Sequence, residues 1–212
     1  MTLPSVSSVA DVLALWGDAG SLTPPLRTIV GAAEPVAARV ITVQMHRSGS
    51  GDGFAPLYDV LSTDLSHCFV VIAGAQHVPG AVWGEILTIA AQLQHASGVL
   101  VHGLVRDTPD LVGLGLPVYA LGETIAGPSG LAHVSAVGVD VVVDDVRIGA
   151  DDHVLADATG CVRLRANDFD AVIEAACRYA DGERQVVEAL AGGEPLTSAY
   201  RYKKSVVDEL RR

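Results

Sequence analysis

Short apolar runs alternate with helical patterns in the middle of the chain, and this alternation constrains the fold more than any other feature. The runs Cys68–Ala73, Gly98–Val101 and Pro117–Leu121 have the length and composition of buried strands. Between the first two runs, apolar residues recur with a period close to 3.6, which is typical of a helix. Strands separated by helices pair in parallel through right-handed crossovers. The sequence therefore predicts an α/β fold.

The stretch from Trp83 to Asp107 carries the clearest indication of a functional site. Gly84 and Glu85 stand where the central helix begins, and Arg106 and Asp107 follow the next strand. Open α/β sheets place their chemistry at the carboxyl ends of strands, and the free N–H groups at a helix start can hold an anion. The pattern indicates an anion cradle beside an arginine and a candidate metal ligand. The alternative is an ordinary surface Arg–Asp pair beside a capped helix.

Helices are predicted at both ends of the chain, with short strands between them. The first helix covers Ser7–Gly17 with Ser7 or Ser8 as its cap, and the last begins at Asn167 or Asp168, ends at Gly192 and has a candidate break at Gly182. Before the central helix, the sequence predicts a turn at Ser21–Pro25, a strand at Val36–Met45, a glycine-rich loop at Arg47–Gly53 and a helix at Pro56–Ser62. The central helix is predicted to end at Ser97-Gly98, and a helix capped by Thr108 follows the next strand. The later part has a β-rich segment at Val134–Ile148 with Asp144-Asp145 as a hairpin turn, and strands at His153–Ala156 and Cys161–Arg165.

Composition narrows the classes of protein that fit. The chain has 212 residues, half of them hydrophobic, which suits one packed domain that buries further surface in an oligomer. A net charge of −11 argues against a nucleic-acid partner. No apolar run reaches the ~18 residues of a membrane span, and the start of the chain lacks the pattern of a signal peptide. The three cysteines have no metal-ligand spacing. We expect a cytoplasmic protein with reduced thiols.

The central stretch also resembles a known family. Its G-E-I-L-T and G-V-L-V-H-G-L-V-R-D segments resemble the G-D-x-L-A and G-V-V-I-D-G-A-V-R-D signature of the RraA-like family. That family includes class II 4-hydroxy-4-methyl-2-oxoglutarate/4-carboxy-4-hydroxy-2-oxoadipate aldolases, and RraA proteins that bind and inhibit a ribonuclease. Further likeness lies at Val9–Asp11, Val40–Val43, Leu116–Ala120 and Ile148–Gly160. The resemblance covers about residues 7–193 and leaves 194–212 as a tail or final helix.

The resemblance implies an architecture and a set of roles. It implies one domain over residues 1–212, a swivelling β/β/α sandwich with a C-terminal helix, assembled as a homotrimer or homohexamer with active sites at subunit contacts. It also implies a Mg²⁺ or Mn²⁺ ion. By this resemblance, Asp107 matches the metal ligand and Glu85 matches an acidic residue that orients water on the metal. Arg106 matches the residue that contacts the keto acid, and the backbone of Gly84, Glu85, Ile86 and Leu87 matches a carboxylate cradle. Glu183 matches a glutamate that reaches a neighbouring subunit's site.

The expected function is therefore that of a metal-dependent carbon–carbon lyase. It would act on a 2-oxo acid with a pyruvoyl end, by retro-aldol cleavage or decarboxylation, through an enolate that the metal stabilises. One alternative is a non-catalytic regulator that binds a ribonuclease; Asp107 and the C-terminal helix argue against it, because RraA proteins tend to lack both. Another is a relative recruited to a specialised pathway with a different substrate. Four departures from the family pattern suggest it, namely His102 in place of Asp, Ala73 in place of an acidic residue, Ala150-Asp151 in place of Pro-Gly, and no Lys in Gly122–Gly130.

Several other polar residues have two interpretations. His102 and His77 could act as a base or an extra ligand, but a satisfied buried side chain and an exposed loop residue explain them as well. Asp151, Asp152 and Asp157 could form a second metal site, although turn chemistry explains them better.

Overall fold

A mixed β-sheet is the centre of the protein in its computed structural model, which describes residues 2–18, 20–22, 26–48 and 53–211. The strands in these ranges are β1 (Ser21–Leu22), β2 (Arg27–Val30), β3 (Val36–Arg47), β4 (Cys68–Ala73), β5 (Ala81–Trp83), β6 (Gly98–Val105), β7 (Val118–Glu123), β8 (Ala132–Val137), β9 (Val141–Val143), β10 (Val146–Ile148), β11 (His153–Asp157) and β12 (Gly160–Leu164). The α-helices are α1 (Val6–Leu15), α2 (Ala55–Val60), α3 (Glu85–Leu93), α4 (Thr108–Leu114), α5 (Phe169–Ala191), α6 (Leu196–Ala199) and α7 (Arg201–Leu210).

The middle of the sheet is parallel and its borders are antiparallel. Its described strands run in the order β1-β12-β11-β3-β4-β6-β7-β2, with β5 on β6 and β8 on β3. The pairs β3–β4, β4–β6, β5–β6 and β6–β7 are parallel. The β9–β10 hairpin stands apart and turns at Asp144-Asp145. The prediction of an α/β fold with parallel strands from 68 to 121 is confirmed.

Strand β4 shows why the centre of the sheet must be apolar. All six of its residues are buried. Val70 and Ile72 belong to the core cluster that contains residues of α2 and α3, whereas Phe69 and Val71 belong to the cluster that contains the hairpin β9–β10. A strand covered on both faces has a continuous apolar sequence, because none of its side chains faces solvent. Removing a side chain such as Ile72 from water is worth about 1.5–3 kcal/mol.

The two terminal regions pack together on the far part of the sheet. Helices α1 and α5 share a third core cluster with β11 and β12. Helix α5 runs through Gly182 without interruption, so the candidate break there is wrong. A Cβ on Gly182 would lie 3.0 Å from Cγ2 of Val206 in α7. Glycine at this position lets the final helices pack against α5, and residues 196–199 and 201–210 are helical rather than frayed.

Several predicted boundaries need correction. Ser5, not Ser7 or Ser8, caps α1, because its side chain accepts the N–H of Ser8. Helix α3 ends at Leu93 rather than at Ser97-Gly98, and β6 continues to Val105. Strand β1 takes up the start of the predicted turn at 21–25. The rest of that turn, 23–25, and residues 49–52 of the glycine-rich loop lie outside the described residues. No helix in the described ranges is long and apolar enough to cross a membrane.

Candidate active site

The candidate site lies where β5 and β6 end beside the start of α3. The N–H of Arg106 donates to the carbonyl oxygen of Trp83 at 3.0 Å, so the two strand ends are held side by side. Gly84 follows β5 directly and is the residue before α3. Gly84 and Asp107 therefore lie next to each other although 22 residues separate them in the sequence. The predicted meeting of a helix start with the Arg–Asp pair is confirmed.

Gly84 leaves the room that this meeting needs. A Cβ at that position would lie 2.7 Å from Oδ2 of Asp107 and 3.0 Å from Cγ of Arg106. Its backbone is extended, with φ −171°, so the requirement is space and not an unusual conformation. Arg106 is also confined on the other side, where a Cβ on Gly127 would lie 3.4 Å from its Nη1. The side chains of Asp107 and Arg106 therefore lie close to the backbone of glycine residues, where any larger residue would displace them.

The start of α3 is fixed by a buried hydrogen-bond chain. The indole Nε1 of Trp83 donates to Oγ1 of Thr88 at 2.8 Å, and that hydroxyl donates to the carbonyl oxygen of Gly84 at 3.0 Å. Trp83 and Thr88 are buried. The N–H groups in the first turn of a helix have no intrahelical acceptors. In α3 the first intrahelical hydrogen bond runs from the N–H of Thr88 to the carbonyl oxygen of Gly84. The N–H groups of Ile86 and Leu87 are thereby available to a ligand.

Asp107 has an unusual backbone and an unused carboxylate. It occupies the capping position of α4, which corrects the prediction of Thr108, and its φ of 59° and ψ of 37° are left-handed. Its carboxylate makes no hydrogen bond to α4, a helix that is described throughout. Instead Oδ2 lies 3.4 Å from the backbone nitrogen of Glu85 and 3.4 Å from Nε of Arg106. Contacts of that length are weak, so the carboxylate keeps most of its capacity to accept.

These residues line a cavity of about 300 Å³. All six residues predicted for the cradle and the Arg–Asp pair are in its lining, namely Gly84, Glu85, Ile86, Leu87, Arg106 and Asp107. Apolar and aromatic side chains form the rest of the described wall, among them Phe54, Tyr58, Trp83 and Ala132. Phe54 and Tyr58 stack with ring centroids 6.0 Å apart.

Glu183 is not among the described residues that line this cavity. It lies on α5, and its Oε1 is 2.8 Å from Nζ of Lys203 in α7. Lys203 in turn lies over the ring of Tyr179, 4.7 Å from its centroid. Within one chain, Glu183 is thus part of a contact between the C-terminal helices. Its predicted action at a neighbouring subunit stays a prediction.

The histidines singled out in the sequence lie apart from the cavity. His102 is only 3% exposed, and its Nε2 lies 3.1 Å from Oδ1 of Asp144 in the hairpin turn. This contact supports the interpretation of a buried side chain partnered at Nε2, but its Nδ1 is buried with no hydrogen-bond partner among the described residues, so the side chain is satisfied only in part. His77 is exposed. Neither residue belongs to the part of the cavity wall that the structure describes.

The acidic residues near 150–157 accept backbone hydrogen bonds that stabilise the local structure. Asp157 accepts the N–H of Val6 at 2.9 Å and the N–H of Thr159 at 2.8 Å, and Asp152 accepts the N–H of Gly149 at 2.9 Å. Burial would raise the pKa of Asp157, but hydrogen bonds from Thr159, Val6 and Gly160 bring it below its ordinary value. These carboxylates are therefore structural, as the turn interpretation predicted.

Four contributors to the site escaped sequence reasoning: Phe54, Tyr58, Trp83 and Thr88. Phe54 and Tyr58 are four residues apart at α2, a spacing that puts two rings on one face of a helix. Trp83 and Thr88 flank the helix start. These spacings were visible, but which cavity they face depends on packing between segments that are distant in the chain.

The donor set suits a hard divalent cation that keeps most of its ligands outside the protein. In the described ranges, no three His, Cys, Asp or Glu side chains come together as a metal site. The cavity offers two carboxylates, Glu85 and Asp107, and one guanidinium, Arg106, which leaves one net negative charge. Mg²⁺ is commonly held by one or two carboxylates while water and substrate oxygens complete its shell. The residues present fit such an ion.

Comparison with known proteins identifies the family and agrees with the fold. The family model described as RraA-like, Aldolase/RraA, matches residues 6–163. Protein DlpA of Legionella pneumophila is 23% identical over 159 residues, covering 74% of this chain and 26% of DlpA. A provisionally named 4-hydroxy-4-methyl-2-oxoglutarate aldolase of Acinetobacter baylyi is 26% identical over 132 residues, covering 62% of this chain and 74% of that protein.

Two solved structures share the fold. An uncharacterized protein of Pseudomonas syringae pv. tomato superposes with a TM-score of 0.81 at 24% identity, covering 92% of this chain and 88% of that one. The RNA-processing inhibitor RraA of Thermus thermophilis superposes with a TM-score of 0.60 at 26% identity, covering 74% of this chain and 92% of that one. The chain spans about a quarter of the length of DlpA, whereas the family match covers most of the chain itself. The protein therefore belongs to the RraA-like family, which includes aldolase-type and ribonuclease-inhibitor-type members.

Proposed function

We propose that the protein is a divalent-metal-dependent lyase that cleaves a carbon–carbon bond in a 2-oxo acid with a pyruvoyl end. One observation carries this proposal: Arg106 and Asp107 meet the open start of α3 inside a cavity. The family membership supports it, since a relative is named as an aldolase.

The chain's own groups would bind the pyruvoyl end. The N–H groups of Ile86 and Leu87 stand at the positive end of the α3 dipole and can donate to the substrate carboxylate. Arg106 adds a fixed positive charge in the same cavity, with its side chain 44% exposed and so accessible to a ligand. A keto acid held between them would have its carbonyl next to Asp107.

Cleavage needs a proton acceptor and a place for negative charge. A Mg²⁺ or Mn²⁺ ion held by Asp107 would supply Lewis acidity toward the carboxylate and keto oxygens of the substrate. The carboxylate of Glu85, through a water molecule, would accept the proton of the substrate hydroxyl. As the bond breaks, its electron pair becomes that of an enolate, whose oxyanion Arg106 stabilises. The same enolate arises when oxaloacetate loses CO₂.

We extend the proposal to Glu183 and to assembly. Glu183 lies outside the described cavity wall of its own chain, so any catalytic action would be on the site of another subunit. A homotrimer or homohexamer would bring the two together. Lys203 would then hold the Glu183 carboxylate in place through their 2.8 Å contact.

Pyruvate release tests the proposal. The purified protein is given oxaloacetate and 4-hydroxy-2-oxo acids, with Mg²⁺ or Mn²⁺ and again after chelation. Metal-dependent pyruvate formation is expected. Formation that continues at the same rate after chelation would contradict the metal-dependent mechanism, and no formation from any of these substrates would contradict lyase activity.

A second candidate function is protein binding. The chain is 26% identical to a protein described as an RNA-processing inhibitor, and helices α3 and α4 expose Ile86, Leu93 and Val112. Such a surface is typical of a protein contact. A stable complex with a purified ribonuclease in size-exclusion chromatography, together with loss of ribonuclease activity and no metal affinity, would favour this function over lyase activity.

A further inference from the structure

We propose that this cavity selects a 2-oxo acid with a single carboxylate and an uncharged, apolar substituent at its distal end. The inference rests on the proposed function and adds the substrate class. It is drawn from two properties of the cavity wall, its charge and its aromatic lining.

The charge of the cavity suits one carboxylate. Among the described lining residues, Arg106 is the one basic side chain, and Glu85 and Asp107 are acidic. With a divalent cation these groups of one chain carry one net positive charge, which the carboxylate of the pyruvoyl end neutralises. A Glu183 carboxylate from another subunit would add negative charge and disfavour a second substrate carboxylate further. A second carboxylate would restore a net negative charge inside a partly enclosed cavity, where unpaired charge is costly.

The other side chains in the described part of the wall are mostly apolar. Phe54 and Tyr58 stack on one side, and Ile86 and Ala132 contribute aliphatic surface. Ala132 is 1% exposed and Ile86 is 74% exposed, so these residues mark the floor and the rim. Apart from the indole N–H of Trp83, which donates to Thr88, the Tyr58 hydroxyl is the one neutral side-chain donor among the described lining residues. A distal carboxylate would lose its water here without an ionic partner.

Two neighbouring segments bear on this assignment. Residues 49–52, which precede Gly53 in the chain, are Gly, Ser, Gly and Asp and contain no basic residue. Arg47 is exposed at the end of β3, paired in register with Ala132 of the cavity wall. It is absent from the described lining, so we assign it no role in binding the substrate.

The expected reaction is balanced for a 4-hydroxy-2-oxo acid whose C4 carries a phenyl or alkyl group. The bond between C3 and C4 breaks, and the hydroxyl oxygen on C4 becomes the carbonyl of an aldehyde. Its proton goes to solvent by way of Glu85. The electron pair stays on C3 as an enolate, which takes a proton from water and leaves as pyruvate.

The experiment compares two substrates and two ligands. Cleavage is measured as kcat/KM for 4-hydroxy-2-oxo-4-phenylbutanoate and for 4-hydroxy-4-methyl-2-oxoglutarate, with Mn²⁺. Binding is measured by calorimetry for 4-phenyl-2-oxobutanoate and 2-oxoglutarate, which lack the 4-hydroxyl group. We expect the phenyl compound to be preferred about tenfold or more in each comparison.

A variant that adds the missing cation sharpens the test. Ile86→Lys places an ammonium group at the rim and should shift the preference toward the dicarboxylate by about tenfold. Leu93→Lys is the matched control, because Leu93 is similarly exposed on the same helix, at 70%, and is not among the described lining residues. It should leave the preference unchanged. An equal shift in the two variants would contradict a local effect and count against the proposal.

The outcomes separate this inference from the proposed function. Cleavage that favours the dicarboxylate, with that preference abolished by Arg47→Ala, would overturn the inference and leave the lyase intact. Tight, selective binding of 4-phenyl-2-oxobutanoate without cleavage of any substrate would support the inference and overturn the lyase. Failure to bind or cleave any 2-oxo acid would overturn both.

Discussion

Oδ2 of Asp107 lies 3.4 Å from the backbone nitrogen of Glu85, although Asp107 occupies the capping position of a different helix, α4. A capping aspartate normally accepts an N–H group of its own helix. Here the left-handed backbone of Asp107 coincides with a side chain that faces the start of α3. Non-glycine residues in this conformation are often found at functional sites. The carboxylate is thereby available to a cation and adjacent to the site proposed for the substrate carboxylate.

Gly84→Ala should damage the site more than the fold. The new Cβ would lie 2.7 Å from Oδ2 of Asp107, so the side chains of Asp107 and Arg106 must move. Because the backbone of Gly84 is extended, the free energy of unfolding should change by about 1 kcal/mol or less, while kcat/KM should fall about tenfold to a hundredfold. Gly113→Ala in α4 is the control, since a Cβ there meets nothing within 4 Å. Wild-type pyruvate release in Gly84→Ala would contradict the close approach.

Thr88→Val should loosen the start of α3. The change removes the hydroxyl that accepts from Trp83 and donates to Gly84, and it leaves the buried indole N–H without its acceptor. An unsatisfied buried donor costs about 1–3 kcal/mol, so the free energy of unfolding should fall by that amount. Denaturant unfolding measures it. Thr63→Val, at an exposed hydroxyl bonded to Val60, should cost much less, and equal losses would contradict the account.

Asp157 should make the fold sensitive to acid. Its pKa is lower in the folded protein than its ordinary value of 3.8, because hydrogen bonds to the carboxylate outweigh burial. A lowered folded pKa means that the stabilisation is complete above the unfolded value and is lost as the pH falls through the folded one. Unfolding free energy should therefore drop below about pH 4. In Asp157→Asn it should be lower at neutral pH by about 1.5–3 kcal/mol and depend less on acid. A variant with the wild-type pH profile would argue against this role.

The three thiols should react at different rates with a thiol reagent such as Ellman's reagent. Burial raises the pKa of the Cys161 thiol, and Cys68 is buried too, whereas Cys177 is partly exposed. Thiolate and access together control the rate. Native protein should show one faster thiol, and unfolded protein should show three. Cys177→Ser should remove the faster phase; if a fast phase persisted in that variant, the burial of the other two would be wrong.

The centre of the sheet could be predicted because its strands are buried on both faces. A strand covered on both faces, such as β4, must be apolar throughout, and strands separated by helices must be parallel. The nearness of Gly84 to Asp107 was expected from a helix start beside the carboxyl end of a strand, whereas strand β5, which pairs with β6 and brings the two residues together, was not predicted. The predicted parts depended on local pattern and topology alone.

The remaining features depended on choices between equivalent residues or on distant packing. Ser5, Ser7 and Ser8 can all cap a helix, and the cap was assigned to the wrong ones. Asp107 and Thr108 are likewise both capping residues, and the left-handed backbone at Asp107 gave no sign in the sequence. The aromatic wall at Phe54 and Tyr58 follows from how α2 packs against β8, which spacing does not determine.

The most direct test of the central claim uses Asp107→Asn, with Mn²⁺ affinity and pyruvate release measured on the same preparation. Asparagine tolerates the left-handed backbone and keeps the side-chain shape, so the fold should be retained while the charge is lost. The account predicts Mn²⁺ affinity weaker by about tenfold or more, and pyruvate release at least about a hundredfold slower, with an unchanged unfolding midpoint. Wild-type Mn²⁺ affinity and wild-type pyruvate release in Asp107→Asn would contradict the proposed metal site and the mechanism built on it.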